Sequence, residues 1–268
     1  MKIKNKTSVT GSDTVVNESE VEFFGPRILV LAVCFLSLLW IFQSGEKIES
    51  LINVHGSGSV FLTAPHGISH LRNQKLKKAD ANTTAIAIKL ARKRPELFTA
   101  FVWKQKTAKL TAKRNGWELQ DPNYMPLDKV EHSPFYVHLS RQMNKHKKVP
   151  LVIDIHGMKD VHDEIECDVA LGFGAWYSVD ATRGNLFRNC LAFNLKRDYQ
   201  GEFKVDCYDK FSGNKNREMI TLSRTAVVLL GIPAFQIELS KKIRASMMTD
   251  EKVLVALVSA IEQCKSKT

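Results

Sequence analysis

The sequence predicts an α/β layered domain at residues 56–268, preceded by a single N-terminal transmembrane helix at 28–45 and a tail at 1–27 expected to be disordered. Three observations carry this reading. β-rich apolar runs alternate with helical patterns from Gly56 onward, which points to a layered α/β fold rather than an all-α or all-β one. Three apolar runs finish in polar residues: Ala64-Pro65-His66-Gly67, Asp154-Ile155-His156-Gly157 and Gln236-Ile237-Glu238-Leu239. Functional groups collect at the carboxyl ends of strands in such sheets. Finally, residues 28–42 (ILVLAVCFLSLLWIF) form an unbroken apolar run. With 44% hydrophobic residues in 268, the chain can bury one sizeable core.

The apolar run is shorter than the roughly 20 residues a full span prefers, so a cleaved signal peptide, a short signal-anchor and a buried helix are all open. The anchor is favoured. The run starts too far from Met1 for an ordinary signal peptide, no small-x-small cleavage pattern follows, and a core helix would not be apolar on every face beside a polar tail. Lys2, Lys4, Lys6 and Arg27 precede the run, whereas Lys47 alone follows closely. That asymmetry places the N-terminus in the cytosol and the domain in a lumenal or extracellular space. Cys34 lies in the run, leaving Cys167, Cys190, Cys207 and Cys264 for up to two disulfides. Asn82-Thr83-Thr84 is a glycosylation sequon that matters in that setting.

Within the domain, strands are expected at 60–64, 99–103, 151–155, 169–172, 203–208 and 234–239. Helices are expected at 82–94, with Ile86, Ile88 and Leu90 toward the core, and at 134–147. A last helix spans 250–264, where Val253, Leu254, Leu257, Val258 and Ile261 keep the spacing of an amphipathic face and Thr249 or Asp250 caps the start. The stretch 184–216 has no clear period, and Ser212-Gly213-Asn214 reads as a loop.

The chemistry follows from the strand ends. His66 and His156 each leave an apolar strand just before a Gly, a setting that suits a metal ligand. Asp154, two residues before His156, shares its strand face and is placed to accept from that imidazole and fix its tautomer. A catalytic zinc takes three protein ligands and an open position. Asp80 is the first candidate for the third ligand, with a helix N-cap as its other reading, and His70 is the second. Glu238, between Ile237 and Leu239, is expected to have a raised pKa and to act as general base on metal-bound water, unless it pairs with Lys241, Lys242 or Arg244.

In order along the chain, these segments resemble the N-formylglutamate amidohydrolase family, itself similar to zinc carboxypeptidases. The matching segments are Ala64-Pro65-His66-Gly67, Asp80, Asp121-Pro122-Asn123, Leu151 to His156, Asp168-Val169-Ala170-Leu171-Gly172, Phe211-Ser212-Gly213 and Gln236-Ile237-Glu238-Leu239. The resemblance implies a three-layer α/β/α fold with a mixed central sheet. It also implies zinc held by His66 and His156, with Glu238 as the catalytic carboxylate and Asn123 at the substrate. Carboxypeptidase-like sites often carry a Glu three residues after the first His; Ser69 stands there, so Asp80 substitutes or the metal site is incomplete. The family's Asp-x-Asn element usually continues with an Arg that holds a substrate carboxylate. Tyr124 stands in its place, which leaves Arg183 or Arg217 as candidates for that role.

The net charge of +11 is scattered, densest at 104–114 and 141–148, and no nucleic-acid module accompanies it, so nucleic acid is not an expected partner. Two function classes remain. One is a membrane-anchored zinc amidohydrolase acting on a small acidic or peptide-like substrate. The other is a catalytically degenerate protein of the same fold that serves as a membrane-attached binding module.

Overall fold

The computed structural model describes residues 51–72, 75–104, 120–146, 150–162, 165–206, 211 and 219–267. The chain divides into two units, Met1–Phe42 and Gln43–Thr268, and every described residue belongs to the second.

A six-stranded sheet runs in the order β1 (Ile52–Gly56), β5 (Phe98–Trp103), β2 (Val60–Thr63), β7 (Leu151–Gly157), β12 (Ala234–Leu239) and β10 (Val169–Gly172). The four central strands are parallel, and β1 and β10 pair antiparallel at the two edges. Three small ribbons complete the β structure. They are β3 (His70–Arg72) with β4 (Lys75–Lys77), β6 (Met125–Pro126) with β11 (Met219–Ile220), and β8 (Val161–His162) with β9 (Ile165–Glu166).

Strand alternation sorts the apolar side chains into two cores, one on each side of the sheet. Val60, Leu62, Ile153, Ile155, Phe235 and Ile237 pack with α1 (Thr83–Lys93), α3 (Gly174–Asp198), α5 (Lys241–Thr249) and α6 (Glu251–Cys264). Phe61, Val152 and Ala234 pack on the opposite side with α2 (Pro134–Met143) and α4 (Leu222–Leu230). Each fully buried Phe, Leu or Ile among them contributes roughly 1.5–3 kcal/mol. The result is the expected α/β/α layering around a mixed sheet. Local signals set the helix limits. Thr221, Ser240 and Asp250 cap α4, α5 and α6 with their side chains, and Gly231 ends α4 at φ 64°, a conformation that costs glycine little.

Several expectations need correction. The sheet begins at β1, upstream of residue 56. Residues 203–206 are irregular rather than a strand, with Val205 alone bridging Val169; residues 207 and 208 lie outside the described part. The first part of the stretch without a clear period, 184–198, is the end of α3. Its buried Trp176, Phe187, Leu191 and Leu195 share the helix with exposed Val179, Leu186 and Phe193, so apolar residues face both ways and blur the pattern. Asp180 breaks the helical backbone within it. The second expected helix ends at Met143. Ser212-Gly213-Asn214 and the apolar run at 28–42 fall outside the described residues, among which no helix is long and apolar enough to cross a membrane. Cys190 and Cys264 form a disulfide joining α3 to α6, and Cys167 is also disulfide-bonded.

Candidate metal centre

The same alternation that builds the cores delivers polar side chains to one place. On β7, Leu151, Ile153 and Ile155 enter the first core, so Asp154 and His156 face the α2/α4 side of the sheet. The β12 ladder sets Gln236 beside Asp154 and Glu238 beside His156, and Thr63 at the end of β2 aligns with Asp154. Beyond β2 the chain turns, with the Gly67 N–H donating to the Ala64 carbonyl at 3.1 Å and Trp103 Nε1 to the Pro65 carbonyl at 2.8 Å. The Asp80 N–H then donates to the His66 carbonyl at 2.8 Å, which brings Asp80 back to the strand ends. Gly67 is needed there because a Cβ would lie 1.8 Å from Thr84 Oγ1, not because its backbone is unusual.

Three donor atoms converge. His66 Nδ1 and His156 Nδ1 are 3.0 Å apart, and Asp80 Oδ2 lies 3.5 Å from the first and 3.7 Å from the second. A triangle with those sides has a centre about 2.0 Å from each corner, the bond length of zinc to imidazole nitrogen or carboxylate oxygen. A carboxylate stands behind each ring. His66 Nε2 is 2.9 Å from Asp121 Oδ1, and His156 Nε2 is 2.9 Å from Asp154 Oδ2. That pairing directs both Nδ1 lone pairs at the common point. Asp154 is itself held by Thr63 Oγ1 at 2.6 Å and Asn123 Nδ2 at 3.0 Å, with Asn123 Nδ2 also 2.7 Å from His156 Nε2.

Electrostatics point the same way. Burial works against charge on both imidazoles, but Asp121 raises the pKa of His66 and Asp154 holds that of His156 well above its ordinary 6.5. Burial would raise Asp80, yet its hydrogen bonds to His156 and His66 hold it well below the usual carboxylate range; His66 does the same for Asp121. Burial pushes Glu238 up, against the pull of His156. Asp80, Asp121, Asp154 and Glu238 thus surround two rings, and protons on those rings offset the negative charge. A divalent cation is the natural replacement for them.

A second group, His66 with His70 and Asp121, also brings potential ligand atoms together. It does not suit a cation, because Arg72 donates to Asp121 Oδ2 through Nε at 2.7 Å and through Nη2, with Nη2 3.4 Å from His66 Nε2. A fixed positive charge already fills that place. His70 is therefore a buttress rather than a ligand. It stacks on His66 with centroids 4.5 Å apart, and its Nε2 lies 3.2 Å from Asp121 Oδ2 but off the direction of a hydrogen bond.

The other expected residues divide. Asp80 does not cap α1, whose N-cap is Asn82, and its carboxylate faces the two imidazoles. Glu238 pairs with none of Lys241, Lys242 and Arg244; Arg244 instead donates to the carbonyls of Ser240, Met158 and Ala81. Asn123 reaches the site, but both ends of its amide are used, Nδ2 by Asp154 and Oδ1 by the Leu222 N–H at 2.5 Å. Arg183 is exposed on α3 and does not line the cleft, and Arg217 lies outside the described residues. The cleft itself, of about 570 Å³, has Arg72, Lys77, Lys78 and Lys159 in its walls. Sequence reasoning missed these cations. Arg72, Lys77 and Lys78 come from the β3–β4 ribbon and the residue after it, and Lys159 from the turn after β7, a convergence that no local pattern announces.

No family model and no curated protein sequence matches the chain. Solved structures do. A gene product of Agrobacterium tumefaciens superposes with a TM-score of 0.51 at 15% identity, covering 81% of this chain and 95% of that one. A candidate carboxypeptidase from Burkholderia mallei gives 0.50 at 14% identity, covering 81% of this chain and 60% of that one. The likeness is one of fold, and the fold is carboxypeptidase-like.

Proposed function

We propose that the chain is a membrane-anchored, zinc-dependent amidohydrolase, of the N-formylglutamate amidohydrolase kind, that cleaves an amide bond in a small acidic N-acyl amino acid or peptide-like substrate. The observation that carries this reading is the convergence of His66 Nδ1, His156 Nδ1 and Asp80 Oδ2 on one point, with a carboxylate behind each ring. Zinc bound there supplies a Lewis acid for the amide carbonyl and acidifies water. His66, His156 and Asp80 hold the ion, while Asp121 and Asp154 keep both rings oriented. Glu238, its pKa raised by burial, accepts a proton from the attacking water and passes it to the leaving nitrogen. The positive wall of Arg72, Lys77, Lys78 and Lys159 suits an anionic substrate. Arg72 is the best placed of them, its guanidinium fixed by Asp121 and lying 5.3 Å from the centre of the Tyr124 ring. The carboxypeptidase-like fold supports amide hydrolysis. Residues 28–45 serve as the anchor, with the domain lumenal or extracellular, a placement that the Cys190–Cys264 disulfide supports.

The test is metal content and hydrolysis of N-acyl amino acids and C-terminal peptide substrates by the purified full chain, beside Glu238→Gln. We expect about one equivalent of metal in both proteins and turnover only in the wild type. Less than about one tenth of an equivalent, unchanged on replacing His66 or His156, would leave the binding-module reading. Equal turnover by Glu238→Gln would remove Glu238 from its role.

A further inference from the structure

Asn82 and Thr84 have features that the folded domain does not explain. Asn82 is the N-cap residue of α1 and has φ 69°, in the left-handed region. An Asn at a helix start ordinarily accepts a hydrogen bond from a first-turn N–H. Here the exposed side chain makes no such bond. The turn before it is nonetheless pinned on both sides, by the Gly157 N–H to Asp80 Oδ2 at 3.0 Å and by Arg244 Nη1 to the Ala81 carbonyl. The Asn82 side chain is therefore held out at a fixed point two residues from Asp80 without capping the helix, although its carbonyl accepts from the Ile86 N–H at 2.9 Å.

Thr84 is the more telling residue. Its Oγ1 is buried with no hydrogen-bond partner, packed where a side chain on Gly67 would have to go. A buried hydroxyl left unsatisfied is destabilising, and Val would fill the same volume without that penalty. Nothing in the folded state accounts for the oxygen. Before folding, the hydroxyl has a use: it is the third position of Asn82-Thr83-Thr84, the feature that makes an Asn an acceptor of oligosaccharide. The Cys190–Cys264 disulfide and the disulfide-bonded Cys167 point independently to folding in an oxidising compartment, where that transfer takes place.

We infer that Asn82 carries an N-linked glycan, added before α1 closes over Thr84. The inference is independent of the hydrolytic reading. Its consequence for the cleft is steric, since the glycan stands beside Asp80 and favours small substrates over large folded ones.

The full chain is expressed in a cultured animal cell line and its mobility compared before and after treatment with an N-glycosidase. A single-step shift is expected, lost in Asn82→Gln and in Thr84→Val and retained in Thr84→Ser. No shift in the wild type, or a shift that survives Asn82→Gln, overturns the inference. The chain's other sequons, Asn5-Lys6-Thr7 and Asn17-Glu18-Ser19, precede the apolar run. A shift abolished by Asn5→Gln and Asn17→Gln together, with Asn82 intact, would place the domain on the opposite side of the membrane and also overturn it. A second readout addresses the buried oxygen. Unglycosylated Thr84→Val from bacterial expression should melt no lower than the unglycosylated wild type, and a lower melting temperature would show that the hydroxyl serves the fold.

Discussion

Replacing Asp154 by Asn probes the metal centre with little disturbance to its surroundings. Asp154 is fully buried, with Oδ1 accepting from Thr63 Oγ1 at 2.6 Å and Oδ2 from His156 Nε2 and Asn123 Nδ2 at 2.9 and 3.0 Å. An amide of the same size can keep its oxygen toward His156 and Asn123 and turn its NH2 to Thr63, whose hydroxyl reverses and accepts. Every hydrogen bond survives and the negative charge is lost. That charge does most to raise the pKa of His156 against its burial, and a more basic imidazole is a better ligand. Loss of a carboxylate behind a ligating imidazole costs about 10–100-fold in metal affinity, or roughly 1.4–2.7 kcal/mol. The assay is titration of the metal-free full chain against a competing chelator, with circular dichroism confirming the fold. An affinity within about twofold of wild type would refute the reasoning, because His156 would then bind without its carboxylate or no cation would sit at this ring.

Three further outcomes follow from the geometry. In metal-free protein, His66 and His156 have pKa values raised above 6.5, so the stability their protonated forms bring is complete below 6.5 and is lost as pH rises through the folded values. At the acid end, Asp80 and Asp121 contribute stability that is present above 3.8 and disappears as pH falls through their lowered values. Melting temperature against pH should show both losses in chelator, and saturating metal should remove the first. Cys190→Ser opens a bond between residues 74 apart, which costs about 4 kcal/mol in the chain-entropy model, read as a lowered urea midpoint; reduction of the wild type, which also opens the bond at Cys167, should lower the midpoint at least as far. In Gly172→Ala the new Cβ would lie 1.7 Å from the Phe211 carbonyl oxygen at the cleft wall. Backbone must move, so a loss of about 1–3 kcal/mol in stability is expected by thermal melting.

The central strands were legible because burial on both faces makes them continuous apolar runs that short polar segments interrupt. Period-two alternation likewise allowed Asp154 to be set behind His156 from the sequence alone. The edge strand β1 was not legible, since four of its five residues are exposed or polar at the margin of the sheet. Asp121 and His66 are 55 residues apart, and no periodicity joins them. Arg72 was missed for a related reason, because its place is set by a ribbon that packs over the strand ends rather than by its own neighbours. The helix α3 hid behind apolar residues on its exposed face. Asp80 shows the limit of local reading most directly: its position suggests a helix cap, and only the return of the chain to the His66 carbonyl turns its carboxylate to the imidazoles.

The covalent link between α3 and α6 has a bearing on damage. β12, which carries Gln236 and Glu238, lies between Cys190 and Cys264 in sequence. A protease that cuts the backbone once anywhere between those cysteines leaves two fragments that remain fastened to each other. The strand bearing Glu238 then stays tethered to the remainder of the sheet, so a nicked molecule can keep its pocket intact until the sulfur bridge is reduced.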